Sequence, residues 1–281
     1  MIDLHDAAWL WPLLVSPFVG SFLGVLIVRL PAQTPVGLSR SVCSHCGTRL
    51  GAADLIPLVS FLALRGRCRH CRMPIGVFHP AVEVAAVAVA LWAVLSGHDL
   101  WHDPWLAPGP DPWPDPWPDP GRIWASCALG WTLLTLAWID WTDLTLPDVL
   151  TLPLLLAGLA LTLAFDPDEL TDHCLAAILA YLAFTGLAFA YRRLRGRDGL
   201  GGGDSKLIAA AGAWCGLAAL PLVVLGSALL GLLAALGLAV AGRTMTSTTR
   251  IPFGPCIALA FWLVWLHGTV AEDLIQFLGR Q

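Results

Sequence analysis

Long hydrophobic runs alternate with short polar stretches along most of the chain, which is the pattern of successive membrane-spanning helices. The runs occupy approximately residues 8–30, 81–96, 123–138, 149–165, 174–191, 205–217, 220–240 and 254–270. Most of them approach the roughly 20 residues that an α-helix needs to cross a hydrocarbon core about 30 Å thick. We place the division between the sixth and seventh runs around Pro221. The pattern therefore predicts an all-α polytopic membrane protein with about eight transmembrane helices.

The composition supports this prediction and excludes other classes of protein. Hydrophobic residues make up 57% of the 281 positions and charged residues 13%, which is too apolar for a soluble domain of this length. The net charge of -4 says little about partners, because in a membrane protein the positions of the charges along the chain matter more. No basic tract suggests a nucleic acid, so we expect the lipid bilayer as a partner and no nucleic acid. The first run follows the acidic residues Asp3 and Asp6. We therefore interpret it as a permanent helix and not as a cleaved signal peptide.

The basic residues predict how the chain is oriented. Residues 32–80 form a more polar segment in which Asp54 is the single acid among six arginines: Arg40, Arg49, Arg65, Arg67, Arg69 and Arg72. Because arginine-rich loops stay in the cytoplasm, we expect this segment on the cytoplasmic side. Residues 98–121 contain a repeat of Asp, Pro and Trp, which predicts an extended outer loop. The predicted organisation is a first transmembrane helix (1–31), a cytoplasmic loop (32–80) and a membrane core (81–281).

Four of the eight cysteines form two Cys-x-x-Cys pairs within the cytoplasmic loop: Cys43, Cys46, Cys68 and Cys71. Two such pairs are typical of a structural zinc site, in which four thiolates surround the metal tetrahedrally. A cytoplasmic location disfavours stable disulfides, although redox chemistry of the pairs remains an alternative. The other four cysteines stand singly in apolar runs, where free cysteine usually acts as a small buried residue.

Two aspartates at the ends of apolar runs are the candidate catalytic residues. Asp140 ends the third run, and Asp204 follows three glycines before the sixth. A pair of neighbouring carboxyl groups can share one proton, so that one activates water while the other donates to a carbonyl oxygen. Helix capping is the alternative for Asp204 and for Asp148. A negative charge at a helix C-terminus is unfavourable, so capping does not explain Asp140.

Several further motifs follow one another along the chain: Gly20-Ser21-Phe22-Leu23, Arg29-Leu30-Pro31, Leu64-Arg65-Gly66-Arg67-Cys68, Pro80 with Glu83, Leu146-Pro147-Asp148, Gly201-Gly202-Gly203-Asp204 and Ile251-Pro252-Phe253-Gly254-Pro255. With the cysteine pairs, they resemble the prepilin peptidases, the type IV leader peptidases of the GxGD aspartic class. The resemblance implies a bacterial inner-membrane enzyme with Asp140 and Asp204 as its catalytic pair, but not Asp143 or Asp148. It also implies prepilin or pseudopilin substrates, of type IV pili or type II secretion, that are cut on the cytoplasmic side.

Many members of this family then methylate the new N-terminus with S-adenosylmethionine, so the resemblance also implies a second activity. Gly24 stands where the family commonly has Asn, and His79 stands where an aromatic residue is common. These departures leave the methyl transfer open. Two other functions remain: a transporter or ion-binding protein that uses the same aspartates, and an assembly factor without chemistry. Replacement of either aspartate by Asn discriminates a peptidase from a scaffold.

Overall fold

The computed structural model describes residues 10–37, 41–97, 120–196, 201–241 and 252–279, with the side chains of the last helix described to residue 268. Most of the predicted Asp-Pro-Trp loop lies outside these residues, as do Arg40 and Arg197. The helices are α1 (Trp11–Arg29), α2 (Val59–Ala63), α3 (Phe78–Gly97), α4 (Pro120–Asp143), α5 (Asp148–Phe165), α6 (Leu170–Arg195), α7 (Gly202–Val240) and α8 (Gly254–Gly279).

Six of these helical stretches are long and apolar enough to cross a membrane, namely those containing α1, α3, α4, α5, α6 and α7. The described part of α8, Gly254–Gly268, is a shorter apolar helix. Within the described ranges there is no named strand, and the β structure consists of isolated bridges in the cysteine-containing segment. The predicted all-α polytopic membrane fold is confirmed.

Helix α7 contains 39 residues and joins the predicted sixth and seventh runs. Its backbone is interrupted at Gly216, which has φ 74° and ψ −180°. This conformation is essentially restricted to glycine. Our placement of the division around Pro221 was therefore wrong, because Pro221 lies inside the second part of the helix. A proline removes one N–H donor, whereas the conformation of Gly216 redirects the chain itself.

The chain divides into two compact units, residues 1–131 and 132–281. In the first unit, α1 packs against α3 through small residues. A Cβ atom on Gly20 would lie only 2.6 Å from the Cα of Glu83, so this contact requires glycine. The indole N–H of Trp131 donates to the carbonyl oxygen of Ala86 at 3.0 Å, which ties the first part of α4 to α3.

In the second unit, α7 is the central helix and packs against α5, α6 and α8. Its first part is buried on most sides because it is built largely from alanine, which lets neighbouring backbones approach closely. A Cβ on Gly212 would lie 2.8 Å from the backbone of Ala176 in α6. The indole N–H of Trp214 donates to the carbonyl oxygen of Leu154 in α5 at 2.8 Å.

The break at Gly216 is stabilised by two side chains of α6. Asp172 accepts the N–H of Leu217 at 2.7 Å, and Nδ1 of His173 lies 2.9 Å from the carbonyl oxygen of Ala213. Because a carbonyl oxygen can only accept, Nδ1 of His173 must carry a proton to make this bond. The two side chains thus satisfy backbone groups that the interrupted helix leaves without internal partners.

Candidate active site and metal centre

Asp140 lies in the last turn of α4, where the helix is anchored by the buried side chains of Leu133, Leu136 and Ile139. Asp140 is buried, with only 6% of its surface exposed. The helix ends at Asp143, and Leu144 then adopts a positive φ of 53° while its N–H still donates to the carbonyl oxygen of Asp140. The carboxylate is therefore held inside the protein at the point where the chain turns towards α5.

The partner of Asp140 is the first residue of α8. The N–H of Gly254 donates to Oδ2 of Asp140 at 2.8 Å. A Cβ on Gly254 would stand 2.7 Å from that oxygen, so glycine is required. The positive end of the α8 dipole offsets the unfavourable position of Asp140 at the end of α4. Gly254 belongs to one of the sequence motifs, but nothing in that motif predicts this contact.

Asp204 is the third residue of α7 and is 8% exposed. Its Oδ2 accepts the N–H of Gly201, the residue that caps the helix, at 3.1 Å. The helix-capping alternative for Asp204 is thus correct in part, since the carboxylate satisfies an N–H at the helix start, but Asp204 is not the capping residue. Gly203 permits a close approach, because a Cβ there would lie 2.7 Å from the Cβ of Leu146 in the connection that follows α4.

The two buried aspartates lie close enough in the second unit for their carboxylates to interact electrostatically. Asp143 and Asp148 are different, since both are exposed. The hydroxyl of Thr142 donates to Asp143, and the ammonium of Lys206 lies 2.5 Å from a carboxylate oxygen of Asp148. Asp148 begins α5 without capping it, because the capping position is Pro147. Among these four acids, Asp140 and Asp204 are the two that are buried and whose carboxylates interact.

The two cysteine pairs lie on two short hairpins of the same construction. The N–H of Cys43 donates to the carbonyl of Thr48, and the N–H of Cys68 donates to that of Met73, each at 2.9 Å. The Sγ atoms of the four cysteines, Cys43, Cys46, Cys68 and Cys71, all lie within 4.8 Å of one another. This cluster could bind a metal ion.

The electrostatics of the cluster favour cation binding. The hydroxyl and backbone N–H of Thr48 lower the pKa of the Cys46 thiol to about 6, so a thiolate is available at neutral pH. The N–H of Met73 favours the thiolate of Cys71, but burial and the other three thiols outweigh it and raise the pKa of Cys71 to about 11. Four thiols at this spacing resist full ionisation until a cation neutralises them.

Glu83 is a buried acid whose role is not evident from the sequence. It lies on α3 at 6% exposure, and its carboxylate accepts the N–H of Leu58 at 2.8 Å. Leu58 has φ 57° and ψ −47°, an uncommon conformation for a residue other than glycine. Glu83 therefore fixes the start of α2 to a membrane helix. An acid inside an apolar run was the available signal, but its partner 25 residues away was not evident from the sequence.

Two family models match the chain. The Bacterial Peptidase A24 N-terminal domain matches residues 14–96, and the Type IV leader peptidase family matches residues 127–236. A relative from Aeromonas hydrophila is 37% identical and covers 94% of this chain and 93% of its own length. A relative from Pseudomonas aeruginosa is 35% identical, with coverages of 98% and 96%, and one from Burkholderia pseudomallei (strain 1026b) is 40% identical, with coverages of 85% and 71%. All three are named prepilin leader peptidase/N-methyltransferase. No solved structure matches the chain.

Proposed function

Because the chain belongs to the type IV leader peptidase family, we propose that Asp140 and Asp204 are the catalytic pair with which it removes the leader of prepilins or pseudopilins. The supporting observation is that the two carboxylates interact while each is held by one backbone N–H, from Gly254 and Gly201 respectively. The names of the relatives offer no support for a transporter that uses these aspartates.

The proposed chemistry requires one ionised and one protonated carboxyl group. The ionised aspartate removes a proton from water as the water oxygen attacks the scissile carbonyl carbon, and the protonated aspartate donates its proton to the carbonyl oxygen. When the tetrahedral intermediate collapses, the C–N bond breaks and the leaving nitrogen takes the proton that the first aspartate removed from water. The second aspartate regains its proton from a hydroxyl of the intermediate, so the pair returns to its starting state. The products are the leader with a new carboxylate and the mature chain with a new amine. The N–H groups of Gly254 and Gly201 orient the acids without adding a charge.

The experiment that tests this proposal is cleavage of a prepilin by purified protein in detergent. We expect Asp140→Asn and Asp204→Asn each to lower kcat at least about 1,000-fold, because removal of one acid leaves no proton relay. Asp143→Asn is the matched control, since Asp143 is an exposed acid on the same helix as Asp140. Retained cleavage by either of the first two variants, or equal loss in the control, would contradict the assignment.

The active site is proposed to face the cytoplasm of a bacterial inner membrane. The chain is a multi-pass bacterial membrane protein, and the arginine-rich ends of its apolar runs support this orientation. The last turn of α6 contains Arg192, Arg193 and Arg195, which stand seven to ten residues before α7 begins at Gly202. Basic residues at this position favour a cytoplasmic location. They also interact favourably with the negative end of the helix dipole.

Zinc is the metal that we propose for the four-cysteine cluster. Four thiolates at about 2.3 Å from a tetrahedral zinc would lie roughly 3.8 Å apart. The Sγ atoms of Cys43 and Cys71 are separated by 3.9 Å, which matches this spacing. Bound zinc would supply structural stability, because four thiolates leave no open position for a substrate. Cys43, Cys46, Cys68 and Cys71 would be its ligands.

A second activity, N-methylation of the new amine with S-adenosylmethionine, is proposed from the names of the relatives. The two departures from the family pattern meet in the structure, because a Cβ on Gly24 would lie 2.6 Å from Nδ1 of His79. His79 thus fills the space beside Gly24. Incubation with a prepilin and S-adenosylmethionine tests the activity by mass. We expect one added methyl group on the cleaved product, and an unmodified product would contradict the proposal.

A further inference from the structure

The first unit exposes a short apolar stretch within the arginine-rich loop. Residues 55–64 are all apolar except Ser60. They include α2, and the large side chains that they expose are Leu55, Ile56, Val59 and Leu62. Val59 and Leu62 are 60% and 72% exposed, and their spacing of three residues places them on one face of α2. We call residues 55–64 the apolar segment.

The backbone at both ends of α2 fixes this exposed face. Leu58 before the helix and Arg65 after it have positive φ angles of 57° and 53°. The turn that follows holds the ring of Phe61, since a Cβ on Gly66 would lie only 3.0 Å from Cζ of that ring. The exposed face of α2 cannot turn inward without the loss of these contacts.

The hydrogen bond to Glu83 sets the depth of the apolar segment. Helix α3 is long and apolar enough to cross the membrane and begins at Phe78. Glu83 is five residues further on, so its Cα lies roughly 7 Å along the helix at about 1.5 Å per residue. Its carboxylate accepts the N–H of Leu58, which places the start of α2 beside the first turns of α3. Helices that lie in the plane of a membrane insert their apolar face to a similar depth, about 5–10 Å.

The charges next to the apolar segment are positive. Asp54, the single acid among residues 32–80, is paired with Arg69 at 2.7 Å. Arg65, Arg67 and Arg72 follow the apolar segment within eight residues, and all three are exposed. Basic residues beside a membrane helix are attracted to the anionic headgroups of the cytoplasmic leaflet. Hydrocarbon and negative charge lie side by side at a lipid interface, which matches this combination of side chains.

We propose that the apolar segment is an interfacial anchor. Val59 and Leu62 lie at the boundary between headgroups and acyl chains, and Arg65 and Arg67 contact anionic headgroups. Ten residues are too few to cross a hydrocarbon core, which requires about 20, so the segment stays reachable from water on one side of the membrane only. A stable protein partner would need about 20–30 contacting residues, whereas the segment exposes four large apolar side chains.

The anchor would hold the second cysteine hairpin at the membrane surface. Residues 67 and 74 pair across this hairpin, and the N–H of Ile75 donates to the carbonyl of Gly66 at 2.7 Å. The hairpin is therefore attached directly to the turn that ends α2. This contact with lipid requires only the membrane fold and is independent of the catalytic assignment.

Quenching by nitroxide-labelled lipids tests this location. A fluorescent amino acid would replace Leu62 in the full chain, reconstituted into phosphatidylcholine vesicles with about one-quarter phosphatidylglycerol. Val84, exposed on α3, is the reference within the membrane, and Ser44, exposed on the first cysteine hairpin, is the reference outside the apolar segment. With the nitroxide near the headgroup, we expect quenching at Leu62 to be at least about threefold that at Ser44. A nitroxide near the end of the acyl chain should quench Leu62 less.

A second position and a charge variant complete the test. The probe at Val59 reports on the same face of α2, so the result does not depend on one substitution. Labelled phosphatidylglycerol should quench Leu62 at least about 1.5-fold more than equally labelled phosphatidylcholine, and Arg65→Gln combined with Arg67→Gln should remove this difference. Equal quenching by the two lipids in the wild-type background would overturn the headgroup contact.

Quenching at Leu62 and Val59 no greater than at Ser44, while Val84 is quenched, would overturn the anchor. Aqueous iodide identifies the other occupants. Protection of the two positions that appears only with an added prepilin would show that a substrate covers this face. Protection that appears only as the protein concentration rises would show that a second copy of the chain covers it. Either result would contradict the contact with lipid.

Discussion

At the scale of single residues, the candidate site depends on two backbone N–H groups. Gly254 donates to Asp140 and Gly201 donates to Asp204, so within the described part of the chain both carboxylates are oriented by backbone donors. A backbone donor at a helix N-terminus is fixed by the helix and needs no rotamer ordering. The arrangement therefore requires that nothing larger than a hydrogen atom stands between Gly254 and Asp140.

Replacement of Gly254 by alanine should disrupt the site. The new Cβ would lie 2.7 Å from Oδ2 and 2.9 Å from Cγ of Asp140, so the carboxylate must move. Because a displacement of about 1 Å at a catalytic group can lower the rate roughly 100-fold, we expect a loss of that order in kcat. The measurement is prepilin cleavage by Gly254→Ala. Gly237→Ala is the control, since Gly237 has open space around it, and similar rates for both variants would refute the prediction.

Glu83 should contribute to the stability of the first unit. Glu83→Ala leaves the N–H of Leu58 without its acceptor, whereas Glu83→Gln keeps an oxygen that can accept it. Loss of a buried hydrogen bond to a charged group destabilises a protein by about 1–3 kcal/mol. We expect Glu83→Ala to have the lower Tm in detergent and Glu83→Gln to lie between it and the wild type. Identical melting curves would show that the bond carries no stability.

The sequence reveals acids more readily than it reveals their partners. Asp140 and Asp204 were predicted because a carboxylate at the edge of an apolar run is expensive to desolvate, which is a local property of the sequence. The contact between Asp140 and Gly254 joins residues 114 positions apart. Such a contact is a product of helix packing, so the pattern of residues around Gly254 could not predict it.

At the scale of secondary-structure elements, the break in α7 occurs at a glycine and not at a nearby proline. Gly216 has a backbone conformation that requires glycine, and a Cβ there would lie 2.8 Å from Oδ2 of Asp172. Pro221 has the better-known sequence signal but continues the helix. The sequence predicted that the helix is interrupted in this apolar stretch. The position of the interruption is determined by the backbone conformation of Gly216.

Substitution at these two positions should have unequal effects. We expect Gly216→Ala to destabilise the second unit by at least about 1–3 kcal/mol, because alanine disfavours this conformation and collides with Asp172. Pro221→Ala should change stability little, since alanine is the better helix former and restores an N–H. Thermal unfolding of both variants in detergent provides the comparison. A larger loss for Pro221→Ala would contradict the assigned break.

The two cysteine hairpins should depend on a metal for their order. The residues around them include few buried side chains besides Cys43 and Cys68, so little apolar packing supports the segment. Removal of the metal by a chelator, or the Cys43→Ser variant, should make residues 41–77 sensitive to protease within the otherwise intact protein. Mass analysis of the fragments measures this change. Ser44→Ala is the control, because Ser44 is an exposed neighbour that supplies no thiolate. Unaltered protection after complete metal loss would contradict a structural role.

At the scale of the whole molecule, orientation in the membrane can be tested with two exposed positions. Leu62 lies on α2 in the segment expected in the cytoplasm, and Asp168 lies in the turn between α5 and α6, which is expected outside. We expect a membrane-impermeant maleimide to label Asp168→Cys in intact spheroplasts and Leu62→Cys only in inverted vesicles. The reverse pattern would invert the topology and place the aspartates outside the cell.

Most of the fold could be predicted from hydrophobicity, because each membrane helix must be long and apolar regardless of its neighbours. The all-α class and the approximate limits of α1, α3, α5 and α6 follow from this constraint. The pairing of helices could not be predicted, since it depends on small residues such as Gly20, Gly158 and Gly212 that allow close contact. Glycines are frequent throughout the chain, and only the packed structure shows which of them are needed.

The use of backbone donors at the candidate site has a consequence for sequence divergence. Side chains that orient a catalytic acid must be preserved in kind, whereas an N–H group is present in every residue except proline. The site therefore constrains the two aspartates and the small size of Gly203 and Gly254, and leaves most other apolar positions of the surrounding helices free to exchange one apolar residue for another. A chain of this kind can change through most of its membrane segments and still bring the same two carboxylates together.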